Sequence, residues 1–184
     1  MGRKVVIGVT GASGAIYAKA LFSQLKKIDH QLDEVAVIFS DTAKIVWKQE
    51  IGKDFENNFG FHLYDANDFF APFASGSSKY DTMLIVPCSM GTLGRIASGL
   101  SNDLMTRAAD VMLKEDHRLI LMVRETPFSL IHVENMRKVL LAGGKIFPAI
   151  PSFYNKPQSI EVVVENLVLR LLEFAGFEVN IKRW

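Results

Sequence analysis

The run Leu119-Ile120-Leu121-Met122-Val123 has no polar residue on either alternating face, and Arg124-Glu125-Thr126-Pro127 follows it at once. Strand side chains alternate between two faces, so a strand apolar on both needs cover on both. The chain offers that cover repeatedly. A β-branched run from Lys4 to Val9 precedes Ala15, Ala18, Leu21, Phe22 and Leu25 at helical spacing, and a strand from Val35 to Phe39 precedes a helix over Thr42 to Glu50. Thr82 to Val86 reads as another strand, followed by small residues from Thr92 to Gly99 and a helix from Asn102 to Glu115. Val133 to Ala142, ending at Gly143-Gly144, predicts a helix, Lys145 to Phe147 a short strand, and Ile160 to Ala175 the last helix, closed by Gly176. A further short strand is expected around Phe61 to Tyr64, and Phe73 to Ser78 reads as a surface loop. Strands alternating with helices imply α/β architecture: a three-layer αβα sandwich around a mostly parallel sheet, one domain over residues 1–184.

Composition narrows the function classes. At 49% apolar content, 184 residues suffice for one core. Twenty-one basic residues against 20 acidic ones give a formal charge of +1, which argues against binding nucleic acid through bulk charge. Cys88 is the sole cysteine, so one chain can build neither a disulfide framework nor a thiolate metal cluster. Met1-Gly2-Arg3-Lys4 runs directly into Val5-Val6-Ile7 without the pattern of a secretion signal, and no run approaches the ~20 apolar residues of a membrane span. A cytoplasmic location is expected.

Ligands of open parallel sheets bind beyond the carboxyl ends of the strands, and the polar residues of this chain gather where those ends are expected. Gly8-Val9-Thr10-Gly11-Ala12-Ser13-Gly14 follows the first strand. Amides at the following helix start would accept an anion, most simply a phosphate. The spacing is G-x-x-G-x-x-G rather than the dinucleotide fingerprint, and a plain tight turn is the alternative. Ser40 ends the second strand and Ser89 follows Pro87-Cys88; with Ser13 they could line one crevice, or each could be a helix cap. Cys88 reads as a small buried thiol. His30, His62, His117 and His132 show no metal-ligand spacing and read as surface or packing residues, with His132 near enough to Arg124-Glu125 to help order that turn.

Cationic residues form the other grouping. Arg107, Asp110 and Lys114 share about one helical face, which a solvated, ion-paired stripe would also explain. Arg124 offers a planar donor fork suited to phosphate, Lys114 a point charge, and Glu125 a carboxyl that could give a departing phosphate its proton. Tyr154 lies in the proline-stiffened segment from Pro148 to Pro157. Arg170 sits among Val164, Leu167, Val168, Leu171 and Leu172, where it either snorkels or joins Tyr154, Lys114 and Arg124 in a phosphate clamp. Glu50, closing its helix, is a further candidate carboxylate. Arg118 reads as structural.

GVTGASG at 8–14, ASGSS at 74–78, PCSMGTLGRIASG at 87–99, RAADVMLKE at 107–115, RETPFSLIHVENM at 124–136 and PAIPSFYNKPQS at 148–159 together resemble the UbiX/Pad1-type flavin prenyltransferases. The likeness runs from about residue 4 to 176. It implies a Rossmann-like flavoprotein fold and transfer of a dimethylallyl group from dimethylallyl monophosphate to N5 and C6 of reduced FMN. The product, prenylated FMN, would serve a separate UbiD-type decarboxylase. Metal independence and assembly as a homododecamer are also implied. By the same resemblance Gly11, Ala12, Ser13, Ser40, Ser89 and Arg107 are expected to contact FMN. Lys114, Arg124, Tyr154 and Arg170 would bind the prenyl phosphate, with Ser13, Glu50 and Glu125 as catalytic groups. A decarboxylase acting directly through its flavin and a non-catalytic FMN carrier are the competing readings.

Overall fold

The computed structural model describes residues 2–181. Six parallel strands form one sheet in the order β3-β2-β1-β4-β5-β6, namely β1 (Arg3–Val9), β2 (Leu32–Phe39), β3 (His62–Tyr64), β4 (Thr82–Cys88), β5 (Arg118–Val123) and β6 (Lys145–Ile146). After β1 the chain winds outward through β2 to β3, then crosses back and winds the other way through β5 to β6. The reversal falls between β1 and β4, the topological switch point at which such sheets bind ligands. Helices α1 (Ala15–Lys27), α2 (Asp41–Ile51) and α6 (Ile160–Phe174) contribute to the core on one face. Helices α3 (Met90–Ala97), α4 (Leu104–Lys114) and α5 (Leu130–Leu141) contribute to the core on the other. This is the three-layer α/β sandwich expected from the sequence. No helix among the described residues is long and apolar enough to cross a membrane.

Short polar side chains begin most of the helices. Ser40, Ser89, Asp103, Ser129 and Ser159 cap α2 to α6, each accepting a hydrogen bond from a backbone amide in the first turn. Gly14, at the start of α1, takes φ of +116° and offers no side chain to cap with. On the first face Phe22 is ringed by Phe39, Trp47, Phe55, Phe59 and Phe61, which ties the segment after α2 to the core. Arg3 and Arg118 both donate to the carbonyl of Ala175 at the end of α6, so Arg118 is structural, as expected, and complements the negative end of the helix.

Several boundaries differ from the expected ones. The small residues after Ser89 form α3, because the serine cap starts a helix that small residues can continue. β2 starts three residues before Val35, and α5 starts at Leu130 because Ser129 and His132 close a capping box. His132 thus orders the entry to α5. The expected surface loop at Phe73–Ser78 begins inside the core instead. Pro72–Ala74 is a 3-10 turn, and Phe73, fully buried, meets Tyr64 and Tyr80 edge to face. Of the neighbouring aromatics, Phe70 projects almost entirely into solvent. Replacing Phe73 with Ala should therefore cost about 3–5 kcal/mol, the range for emptying an aromatic core position. A urea midpoint unchanged from the parent's would contradict this burial.

Candidate functional site

Four of the loops at the carboxyl ends of the strands are tied together by specific hydrogen bonds. The Ser40 amide donates to Val9 O at 3.0 Å, joining the exits of β2 and β1. The Thr10 hydroxyl donates to Pro87 O at 2.7 Å and accepts from the Ser89 amide at 2.8 Å, joining β1 to β4. The Arg124 amide donates to Cys88 O at 3.2 Å, joining β5 to β4. Arg124 then turns back toward β1, where its Nε donates to Ser13 O at 2.9 Å. Gly11 must be glycine for reasons of space, since a Cβ there would stand 2.4 Å from Thr42 Oγ1.

The helix start expected to bind a phosphate holds an anion of the protein's own. Glu50, on the last turn of α2, places Oε2 at 2.9 Å from the Gly14 amide and 2.7 Å from the Ala15 amide. It supplies the cap that Gly14 cannot. Partial burial opposes ionisation of Glu50, but the Ser13 hydroxyl, the two amides and the Arg124 charge outweigh it and hold the carboxyl below its ordinary 4.5. The Tyr17 phenol, one turn into α1, is pushed up by burial while the Arg124 charge works against that shift. Ser13, Glu50 and Arg124 are thus one connected unit. Glu125 stands next to it, half-buried, with its own carboxylate accepting from the Thr126 amide at 3.0 Å.

The remaining candidates are outside that connected unit. Ser40 and Ser89 are at the same sheet edge, and both hydroxyls serve as helix caps, engaging Ala43 N with Thr42 and Thr92 N with Thr92 Oγ1. Ala12 is buried within the glycine loop. Arg107 reaches the 3-10 turn, Nε to Ala74 O at 3.0 Å, and pairs with Asp110 at 3.1 Å. Lys114 pairs with Glu115 at 2.6 Å and is the last residue of α4, just before β5 begins. It therefore stands at the amino edge of the sheet, separated from Arg124 by the length of β5, roughly 20 Å at ~3.3 Å per residue. Tyr154 and Arg170 line one cavity of about 300 Å³ with Phe147, Pro148 and Leu167, alongside the β6 edge. Arg170 faces solvent and pairs with Glu173, off the apolar stripe of Val164, Leu167, Val168, Leu171 and Leu172. Cys88 is fully buried and its thiol is pushed up to about 12 by that burial, which suits packing rather than nucleophilic attack.

Sequence reasoning assigned nothing to Thr10, Thr42 or Tyr17. Thr10 was detectable as the one side-chain hydroxyl between a buried strand and the first loop glycine, whereas the closeness of Thr42 and Tyr17 to the loop comes from packing between elements.

The doubly wound sheet with its loops joined at the switch point is the fold of an α/β protein that binds a ligand at that edge, and the family model described as Flavoprotein matches residues 1–172. The flavin prenyltransferase UbiX of Methanocaldococcus jannaschii is 43% identical, with 98% of each chain covered. A solved structure of AnUbiX (PadA1) with FMN and dimethylallyl pyrophosphate superposes with a TM-score of 0.93 at 39% identity, covering 100% of this chain and 98% of that one. A dodecameric FMN-dependent UbiX-like decarboxylase from Escherichia coli O157:H7 superposes with a TM-score of 0.91 at 35% identity, covering 98% of both chains. The chain belongs to the UbiX/Pad1 family of flavin prenyltransferases.

The Glu50 cap makes the glycine loop sensitive to acid. A carboxyl whose folded pKa is depressed stabilises the fold above its unfolded value and ceases to do so as pH falls through the folded one. Glu50→Gln should lower the urea midpoint at neutral pH, and its deficit against the parent should shrink as pH drops below 4.5, the ordinary value from which Glu50 is depressed. A deficit that stays constant across that window would show that the ionised form is not what caps α1.

Proposed function

We propose that the chain transfers a dimethylallyl group from dimethylallyl monophosphate to N5 and C6 of reduced FMN, releasing phosphate. The product, prenylated FMN, would pass to a UbiD-type decarboxylase. The observation that carries this reading is the joining of Ser13, Glu50 and Arg124 at the switch-point edge. It occurs in a chain so similar to one solved with FMN and dimethylallyl pyrophosphate.

The residues present suit a flavin mononucleotide. Gly91, in the first turn of α3, faces open space, and the glycine loop packs close against α2 at Gly11. The hydroxyls of Ser13, Ser40 and Ser89 are spread along the same edge, as a ligand with polar groups along its length requires. Gly11, Ala12, Ser13, Ser40, Ser89 and Arg107 are the proposed flavin contacts. The reduced flavin supplies the electron-rich ring that is alkylated.

The protein supplies orientation, dryness and charge. Arg124 is fixed through Nε, which leaves its terminal nitrogens to meet a leaving phosphate. Glu125, the next residue, would hand that phosphate a proton. Glu50, held ionised, is suited to take the proton lost on ring closure, with Ser13 between it and the flavin as a relay. Phosphate contacts assigned to Lys114, Tyr154 and Arg170 complete the clamp. Since Lys114 is at the far edge of its own sheet, a clamp containing both it and Arg124 would join two copies of the chain.

Self-association is consistent with the surface. Leu130, Ile131, Leu140 and Leu141 on α5 are largely exposed, as is Phe70, and large apolar side chains left to solvent in number are used at interfaces. A homododecamer in the cytoplasm is the proposed working form.

Mixing the purified protein anaerobically with reduced FMN and dimethylallyl monophosphate should yield a flavin heavier by one five-carbon unit. Replacing Glu125 with Gln should slow that reaction about 10²-fold or more, the usual worth of a general acid, with little change in FMN affinity. A parent flavin of unaltered mass at saturating substrate refutes the activity. Running the diphosphate in parallel identifies the donor. Separately, Leu130→Asp combined with Ile131→Asp should reduce the assembly seen by light scattering while the helical spectrum of the chain is kept. An unchanged mass in solution would exclude the α5 face from the interface.

A further inference from the structure

We propose that Thr10 is the positioning residue that sets the spacing between the two loops of the flavin crevice, a role that rests on the flavin reading above. The parallel ladder between β1 and β4 pairs Val5 through Gly8 with Thr82 through Ile85 and then ends. Past that point β4 also shifts register against β5, between Ile85 and Cys88. The regular ladder thus stops short of the loops that must face the ligand, and beyond it a single main-chain bond, Thr10 N to Pro87 O, and the Thr10 side chain join the two exits.

The Thr10 hydroxyl acts in both senses at once, donating to Pro87 O at 2.7 Å and accepting from the Ser89 amide at 2.8 Å, while its own amide reaches Pro87 O at 3.3 Å. Thr10 is only 2% exposed, so water cannot readily substitute for any of these partners. Ser13 lies three residues beyond Thr10 on one loop, and Ser89, the α3 cap, is the bonded residue on the other. A valine would occupy the same volume without the hydroxyl, leaving the part-buried Ser89 amide without its partner and only the longer Thr10 N to Pro87 O bond to hold the two loops together. A serine would keep the bridge. Misplacement by ~1 Å of groups that hold a ligand together is enough to be felt in binding.

The test compares Thr10→Val and Thr10→Ser with Thr82→Val. Thr82 is also fully buried and also uses its hydroxyl, donating to Asp81 at 2.7 Å, but at the amino end of β4, away from the crevice. FMN affinity is measured by quenching of flavin fluorescence, and protection of the Ser89 amide by hydrogen exchange in flavin-free protein. Thr10→Val should weaken FMN binding about tenfold, the worth of one lost buried hydrogen bond, and expose the Ser89 amide to exchange. Thr10→Ser should remain within about twofold of the parent in affinity, and Thr82→Val should lose stability without losing FMN. If Thr10→Val does not fold, Thr10→Ala removes the same hydroxyl and is read the same way. Parental affinity or parental Ser89 protection in the hydroxyl-free variant overturns the role, as does an equal affinity loss in Thr82→Val. Failure of the unmodified chain to bind FMN would overturn the flavin reading and this role with it. Binding by the parent, unaltered in Thr10→Val, removes the role of Thr10 alone.

Discussion

Burial of the central strands on both faces governs where this protein can place its chemistry. β4 is buried at every position, and β1 and β5 at all but their first one or two residues, so polar side chains are confined to their ends, as Thr82 is at the start of β4. Polar groups must collect at the strand ends, and winding in two directions opens a gap at only one of those edges, between β1 and β4. The loops there carry backbone amides and carbonyls that the ladder no longer satisfies. Thr10, the Ser40 amide and both nitrogens of Arg124 that contact the other loops satisfy some of them, and in doing so fix the loops relative to one another. Rigidity at the site is thus a consequence of completing backbone hydrogen bonds at the end of a buried sheet.

The Glu50 carboxylate is the second such consequence. A helix beginning with a glycine in a left-handed conformation presents uncapped amides, and their partial positive charge draws the nearest anion. Glu50 fills that position from α2, so on the proposed reading a flavin phosphate would take its donors elsewhere along the edge. The same bonds keep the carboxylate charged and oriented, which is what a proton acceptor in a dry crevice requires. Capping and catalysis, on the proposed reading, use one side chain for both purposes.

The sandwich was legible because its signals are local: apolar runs of strand length, helical spacing between them and polar residues just beyond. Membership of the family was legible from long polar motifs. α3 was not, since its residues are small and the cap at Ser89 could equally have ended a loop. Phe73 was misread because Ala74-Ser75-Gly76-Ser77-Ser78 has the composition of a turn, while the ring that anchors it is buried through contacts with Tyr64 and Tyr80, distant in sequence from one another. Arg170 was misplaced for a related reason: its neighbours in sequence, Val168, Leu169, Leu171 and Leu172, are apolar, yet Asn166 and Glu173 at helical spacing share its outward bearing. Ser13, Glu50 and Arg124 come from three separate elements, and nothing in the linear order states that they meet.

The cations proposed to hold phosphate are each kept beside a carboxylate in the single chain. Lys114 pairs with Glu115 and Arg170 with Glu173, while Arg124 lies in the field of Glu50. Exposed pairs of this kind are weak, because solvent screens them and ordering two long side chains costs entropy. A phosphate ester carries more charge than a single carboxylate and accepts several donors at once, so it can draw such cations from their partners at little loss. Their attraction to the ester must still be smaller than to the departing phosphate if bond breaking is to be accelerated. Carboxylate pairing lowers the attraction to the bound ester and to the departing phosphate alike, so the difference has to come from the charge that develops on the leaving oxygen as the bond breaks.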